Sequence, residues 1–231
     1  MATYVLIPGA GGDGREWNRL VTELEGRGHE AIAVSLPAGD DGAGWKEYAD
    51  TVVRAIGDRT GVILVAQSLA GFTAPLVCEQ VAVNLLVLLN AMIPRPGETG
   101  NAWWSNTGQG AAAAEYRTSL ALSEKNAEDD NVTYFHDVPK EVVDDYLSGP
   151  EFAQSMTPMT QPWPLDGWPN VPTRVLAGRD DRLFPATFQQ RVARERLGIE
   201  ADIIEGGHMV ALSRPRELAD RLEDYGRELG D

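Results

Sequence analysis

Two short runs constrain this chain more than any other feature: VILV at 62–65 and LLVLL at 85–89. Both are apolar at every position. Successive side chains of a strand point to opposite faces of its sheet. An unbroken apolar run therefore needs cover on both faces, which is how strands of a parallel sheet flanked by helices read. TYVLI at 3–7, AIAV at 31–34, TRVLA at 173–177 and ADII at 201–204 bring the strand candidates to about six. Between them the apolar period lengthens to that of a helix. Trp17, Leu20, Val21 and Leu24 form one stripe, with Gly26 as its expected stop. Trp45, Tyr48, Ala49, Val52, Val53 and Ile56 form a second before Gly57, and Leu218, Leu222, Tyr225 and Leu229 form the last. Each stripe suits one face of a sheet. Strand followed by helix, repeated, predicts an α/β domain with a mostly parallel, doubly wound sheet.

The rhythm breaks at 91–170. That stretch holds Pro94, Pro96, Pro139, Pro150, Pro158, Pro162, Pro164 and Pro169, and Trp103, Trp104, Trp163 and Trp168. Positions 111–122 and 139–147 have helical character and no sheet strand is evident. The expected organisation is a single domain over 1–231 with a small helical cap inserted at 91–170. A chain of 231 residues that is 43% hydrophobic supports one such core.

Charge excludes some partners. With 20 Lys and Arg against 35 Asp and Glu, the formal net charge is -15. Such a chain repels phosphate backbones and anionic bilayers, so neither nucleic acid nor membrane is expected. No run approaches the length of a membrane span and no signal peptide is evident. The single cysteine, Cys78, is read as a buried apolar residue and suits a reducing cytoplasm.

The candidate chemistry starts at VILVAQSLAGFTAPLV. Ser68 follows a buried strand and precedes a helical stretch that contains Pro75, with Ala66 and Ala70 as small neighbours. A serine hydroxyl is a weak nucleophile unless held exposed beside a base. A sharp strand-to-helix turn does this and leaves the N–H of Leu69 at a helix start, where it can donate to a developing oxyanion. The common pattern has glycines where Ala66 and Ala70 stand, and Gly71 is one place late. The same window also suits a serine that merely caps a helix.

Two further loops follow strands. VLAGRDDRLFP places Asp180 and Asp181 after one, and IIEGGHMVALSRP places His208 after the next. His208 as general base needs an acceptor to fix its tautomer, and Asp181 is preferred over Asp180. Of the three histidines, His29 precedes a strand on the side away from Ser68 and reads as packing or surface. His136 falls in the inserted stretch. The first turn, LIPGAGGDGREW, lets the backbone approach a substrate, with the N–H of Ala10 as second oxyanion donor. Gly9, Gly11 and Gly14 also fit a dinucleotide fingerprint. The acid that reading requires after the second strand is replaced by Ser35, Leu36 and Pro37.

LIPGAGG, AQSLAG, GRDDRLFP and GGHMVALSRP together resemble the α/β-hydrolase superfamily over nearly the whole chain. The compact branch of plant methyl esterases and hydroxynitrile lyases is the most similar. The resemblance implies an α/β-hydrolase fold with a helical cap, and a triad in the order Ser68, Asp181, His208. In such proteins the aspartate three places after the glycine is the triad acid, here Asp181 after Gly178. Pro8-Gly9 departs from the His-Gly often found in the first turn.

The expected activity is that of a serine hydrolase: a carboxylic ester hydrolase that forms an acyl-enzyme from a small apolar or aromatic ester or lactone. Trp103, Trp104, His136 and Met209 are the pocket candidates, and Met156 and Met159 add to its apolar character. Neither metal nor organic cofactor is required. The partner is a small molecule, and assembly as a homodimer stays open. Two alternatives share the scaffold. One is non-hydrolytic chemistry, as in a hydroxynitrile lyase or a cofactor-free oxygenase; the other is a non-catalytic ligand receptor. A lyase needs a cation for the leaving anion, and Lys46, Lys125 and Lys140, the only lysines, lie outside the loops of Ser68, Asp181 and His208.

Overall fold

The computed structural model describes residues 2–123, 125, 129–149 and 153–229. The apolar runs become the strands β1 (Thr3–Ile7), β2 (Glu30–Ala33), β3 (Val62–Gln67), β4 (Leu85–Leu89), β5 (Thr173–Gly178) and β6 (Asp202–Ile204). All pair in parallel, in the order β2-β1-β3-β4-β5-β6.

The unbroken apolar runs are explained by two cores, one on each face. From β1, β3 and β4, Val5, Ile7, Leu64, Ala66, Leu86 and Leu88 point into one core. Tyr4, Leu6, Ile63, Val65, Val87 and Leu89 point into the other. The first core is closed by α2 (Trp45–Ile56), α3 (Ala74–Cys78) and α9 (Ala186–Leu197). The second is closed by α1 (Asn18–Gly26), α10 (Val210–Ser213) and α11 (Pro215–Glu228). Fully burying one such side chain contributes ~1.5–3 kcal/mol, so these faces hold the sheet together.

Some local expectations shift. Gly26 is the last residue of α1, with Arg27 as its cap. Gly57, at φ 57°, does close α2. The chain after Ser68 forms a 3-10 turn at Ser68–Gly71, and α3 begins only at Ala74, so Pro75 falls in its first turn, where a missing N–H costs nothing. Cys78 is half-buried rather than fully buried, and burial pushes its thiol up to about 12.

Between β4 and β5 lie α4 (Gly100–Thr107), α5 (Gln109–Ser119), α6 (Asp130–Thr133), α7 (Lys140–Leu147) and α8 (Thr157–Thr160). No sheet strand occurs there among the described residues. Tryptophans fasten this segment to the sheet domain. Trp163 Nε1 donates to the Phe72 carbonyl at 3.0 Å, and Trp45 Nε1 of α2 donates to Gln161 O at 3.2 Å. A buried ion pair, Glu98 with Arg196 of α9, ties it to the domain again. Burial opposes a charged Glu98, yet Arg196 and Asn106 hold its carboxyl below the usual range. No helix among the described residues is long and apolar enough to cross a membrane.

Candidate active site

Topology brings two loops together. From β1 the chain moves outward to β2, then returns to β3 on the other side of β1. Ligands of open α/β sheets gather at the carboxyl ends of strands where the order reverses in this way. Ile7 pairs with Ala66, so the turn after β1 lies beside the one after β3.

Ser68 occupies the second turn at φ 52°, a left-handed conformation that costs a side-chain-bearing residue ~1–2 kcal/mol. The surroundings hold it there. Ala66 and Ala70 are buried, and the Ser68 carbonyl accepts from Met92 N–H at 2.9 Å. A Cβ on Gly71 would stand 1.8 Å from the Met92 carbonyl oxygen, so Gly71 is required by packing against the loop after β4. A Cβ on Gly9 would stand 2.9 Å from that of Ser68, so glycine there lets the two turns touch. The backbone N–H groups of Ala10 and Leu69 donate to no acceptor among the described residues. Both residues line one cavity with Ser68.

His208 and Asp181 come together from the loops after β6 and β5. Nδ1 of His208 lies 2.8 Å from Oδ2 of Asp181, and both side chains are buried. Oδ1 of Asp181 accepts from the N–H groups of Leu183 at 2.8 Å and Phe184 at 2.9 Å. A carboxylate so oriented places the imidazole proton on Nδ1 and leaves Nε2 as the acceptor. Asp180 contributes backbone instead: its carbonyl accepts from His136 Nε2 at 3.0 Å. Phe184 and Tyr134 pack edge-to-face with the His208 ring, with centroids at 5.3 and 5.6 Å. His208 lines the same cavity as Ser68. The Ser68 hydroxyl makes no hydrogen bond among the described residues, and such contacts often close only when substrate binds.

That cavity measures about 500 Å³. Trp104, Met209, Met156 and Met159 line it. Trp103 does not. It is fully buried, donates Nε1–H to the Ile93 carbonyl at 3.0 Å and packs on Phe184 and Phe188. His136 is also outside the lining, and burial, with Arg182 nearby, pushes its pKa below the ordinary value. His29 accepts from Ala2 N–H at 3.2 Å and contacts Glu223 at 3.0 Å, a packing role. No cluster of His, Cys, Asp or Glu able to hold a metal occurs among the described residues.

Three participants were not evident beforehand. Asn90, fully buried at φ 45°, follows β4. Its Nδ2 donates to the carbonyls of Gly207 and His208, each at 3.1 Å, and its Oδ1 accepts from Gly178 N–H at 2.6 Å. One side chain thus ties the ends of β4 and β5 to the His208 loop. Asp137 adds a second tie, accepting from Gly207 N–H at 2.8 Å. Glu16, in the 3-10 turn Gly14–Trp17, is a buried acid on the cavity lining. An asparagine directly after an apolar strand is a usable signal, because asparagine tolerates left-handed backbone.

A family model described as "Alpha/beta hydrolase family" matches residues 4–221. No curated protein matches the sequence significantly. Among solved structures, a polyneuridine aldehyde esterase superposes with TM-score 0.77 at 19% identity, covering 97% of this chain and 99% of that one. A pyrethroid hydrolase from Sphingobium faniae JZ-2 gives 0.74 at 22% identity, covering 98% and 97%. A methylesterase from Arabidopsis gives 0.72 at 19% identity, covering 99% and 100%. These likenesses establish the shared fold.

Proposed function

The chain belongs to the alpha/beta hydrolase family, and from that premise we propose that it is a carboxylic ester hydrolase with Ser68 as nucleophile, His208 as general base and Asp181 as its orienting acid. The observation that carries this is the convergence on one cavity of a strained serine, an aspartate-bound histidine and two N–H groups without an acceptor among the described residues. Esterase and hydrolase activities named for the solved structures agree with this reading.

In the first half-reaction, His208 Nε2 takes the proton of Ser68 while Oγ bonds to the ester carbonyl carbon. The carbonyl oxygen gains the negative charge, and the N–H groups of Ala10 and Leu69 receive it. As the tetrahedral species collapses, the carbon–oxygen bond to the alcohol breaks and His208 returns the proton to the leaving oxygen. Water, deprotonated by His208, then frees the acid and restores Ser68. Asp181 stays ionised throughout and stabilises the imidazolium. No step calls for a metal or an organic cofactor. The helices between β4 and β5 act as a cap, and Trp104 with Met156, Met159 and Met209 select a small apolar or aromatic ester or lactone. Among the described residues no lysine or arginine lines the cavity, which favours acyl transfer over a cleavage that releases a free anion.

Ser68→Ala tests the assignment. Turnover of a panel of short acyl esters and lactones should fall by roughly 10³-fold or more, with substrate binding kept. An alanine variant as active as the native chain would refute it.

A further inference from the structure

Among the described residues of this cavity wall, Glu16 is the one buried acid that the proposed reaction leaves unused. Its side chain is only 4% exposed, and Oε1 is sealed from solvent without a hydrogen-bond partner among the described residues. It has no ion pair among them either. The guanidinium of neighbouring Arg15 is held on Asp13, at 2.8 Å through Nε and 2.6 Å through Nη2. Among the described residues, the groups that act on the Glu16 carboxyl are the N–H of Gly9, which donates to it, the Asp13 carboxylate and the Tyr146 phenol, none of them a cation.

A buried acid without a counter-ion is expensive to keep, and proteins that keep one usually give it a job. The rest of the wall suggests which. Trp104, Tyr134, Phe135 and Tyr146 line the cavity, and aromatic rings attract organic cations through the negative quadrupoles of their faces. Asp130, exposed at the start of α6, is the other acid on the lining among the described residues. Among the described residues, no lysine or arginine lines the cavity to repel a cation.

We propose that Glu16 is the counter-ion for a positively charged nitrogen on the substrate, so that the cavity takes small esters bearing an organic ammonium group. This rests on the reading of Ser68 as an ester-cleaving nucleophile and narrows its substrate class. In the empty cavity, burial pushes the Glu16 carboxyl well above the ordinary carboxylate range. An arriving ammonium restores the ionised form and expels the proton to water. Affinity for the cation therefore rises with pH until Glu16 is ionised without help.

The test compares permanently charged choline esters with their uncharged 3,3-dimethylbutyl isosteres. The native chain should prefer the cation in kcat/KM by about tenfold or more, the scale of one charge-assisted contact. That ratio should climb with pH, because any pH effect on the reaction itself is common to both esters and cancels. Glu16→Gln should bring the ratio near one at every pH, while Asp130→Asn keeps most of it. A native ratio near one, or a ratio unchanged in Glu16→Gln, would overturn the proposal. Should Glu16→Gln fail to fold, the native ratio and its pH slope decide alone. If neither ester turns over and a fluorophosphonate leaves Ser68 unlabelled, the hydrolase reading fails instead. Calorimetry with choline against 3,3-dimethylbutanol then judges Glu16 separately: choline must bind the native chain more tightly, and the difference must vanish in Glu16→Gln.

Discussion

Asn90→Ala is the substitution with the most informative consequences. The native side chain makes three buried hydrogen bonds, to Gly178 N–H and to the carbonyls of Gly207 and His208. At ~1 kcal/mol apiece their loss removes about 3 kcal/mol, and an orphaned Gly178 N–H keeps that from being recovered. Alanine at φ 45° adds about 1 kcal/mol of backbone strain. The sum, about 4 kcal/mol, is a large share of the ~5–15 kcal/mol by which domains are stable. For a chain of this size it corresponds to a fall in Tm of roughly 8–16 °C. Urea unfolding followed by tryptophan fluorescence measures it. Asn90→Gly loses the same bonds without the strain, so it should be the milder variant by about 1 kcal/mol, less glycine's own entropy in the unfolded chain. In both, kcat should fall more than KM rises, because the tether on the His208 loop is gone. An alanine variant within about 1 kcal/mol of the native chain would refute the idea that Asn90 clamps the three loops.

Asp181→Asn should leave the fold intact, since the amide oxygen can still accept from Leu183 and Phe184, while kcat drops by about 10³–10⁴ as His208 loses its orienting charge; steady-state kinetics read this directly. Glu98→Gln tests the buried pair with Arg196. Because the folded Glu98 pKa is depressed, its stabilisation is full above the usual value of 4.5 and is lost as pH falls through the folded value. The variant should thus be less stable by about 3 kcal/mol at pH 7, with the gap closing toward pH 3. A gap in Tm that is as wide at pH 3 as at pH 7 would contradict the assignment.

The sheet was legible because the apolar runs at 62–65 and 85–89 admit only a strand covered twice. Ser68, Asp181 and His208 were legible as loop residues directly after strands, with glycine or alanine beside them. What stayed hidden depends on contacts between distant segments. Asn90 reaches Gly178 and His208 across 88 and 118 positions. The choice between Asp180 and Asp181 is made by which side chain turns inward beneath Phe184. Trp103 and Trp104 are adjacent on α4, so they face different ways: one enters the core and the other the cavity. Composition treats them alike, and only the helix's orientation on the domain separates them. Glu16 was hidden for a related reason, since an acid inside a polar, glycine-rich turn reads as solvated until the segment that covers it is in place.

On the proposed mechanism one hydroxyl, at position 68, is activated by His208. The most direct measurement is reaction with a fluorophosphonate, read by intact mass and by mapping the modified peptide. One adduct per chain on the Ser68 peptide, absent from Ser68→Ala and slowed at least about 10³-fold in His208→Ala, is the expected result. Modification of another residue, or equal labelling of the Ser68→Ala chain, would contradict it.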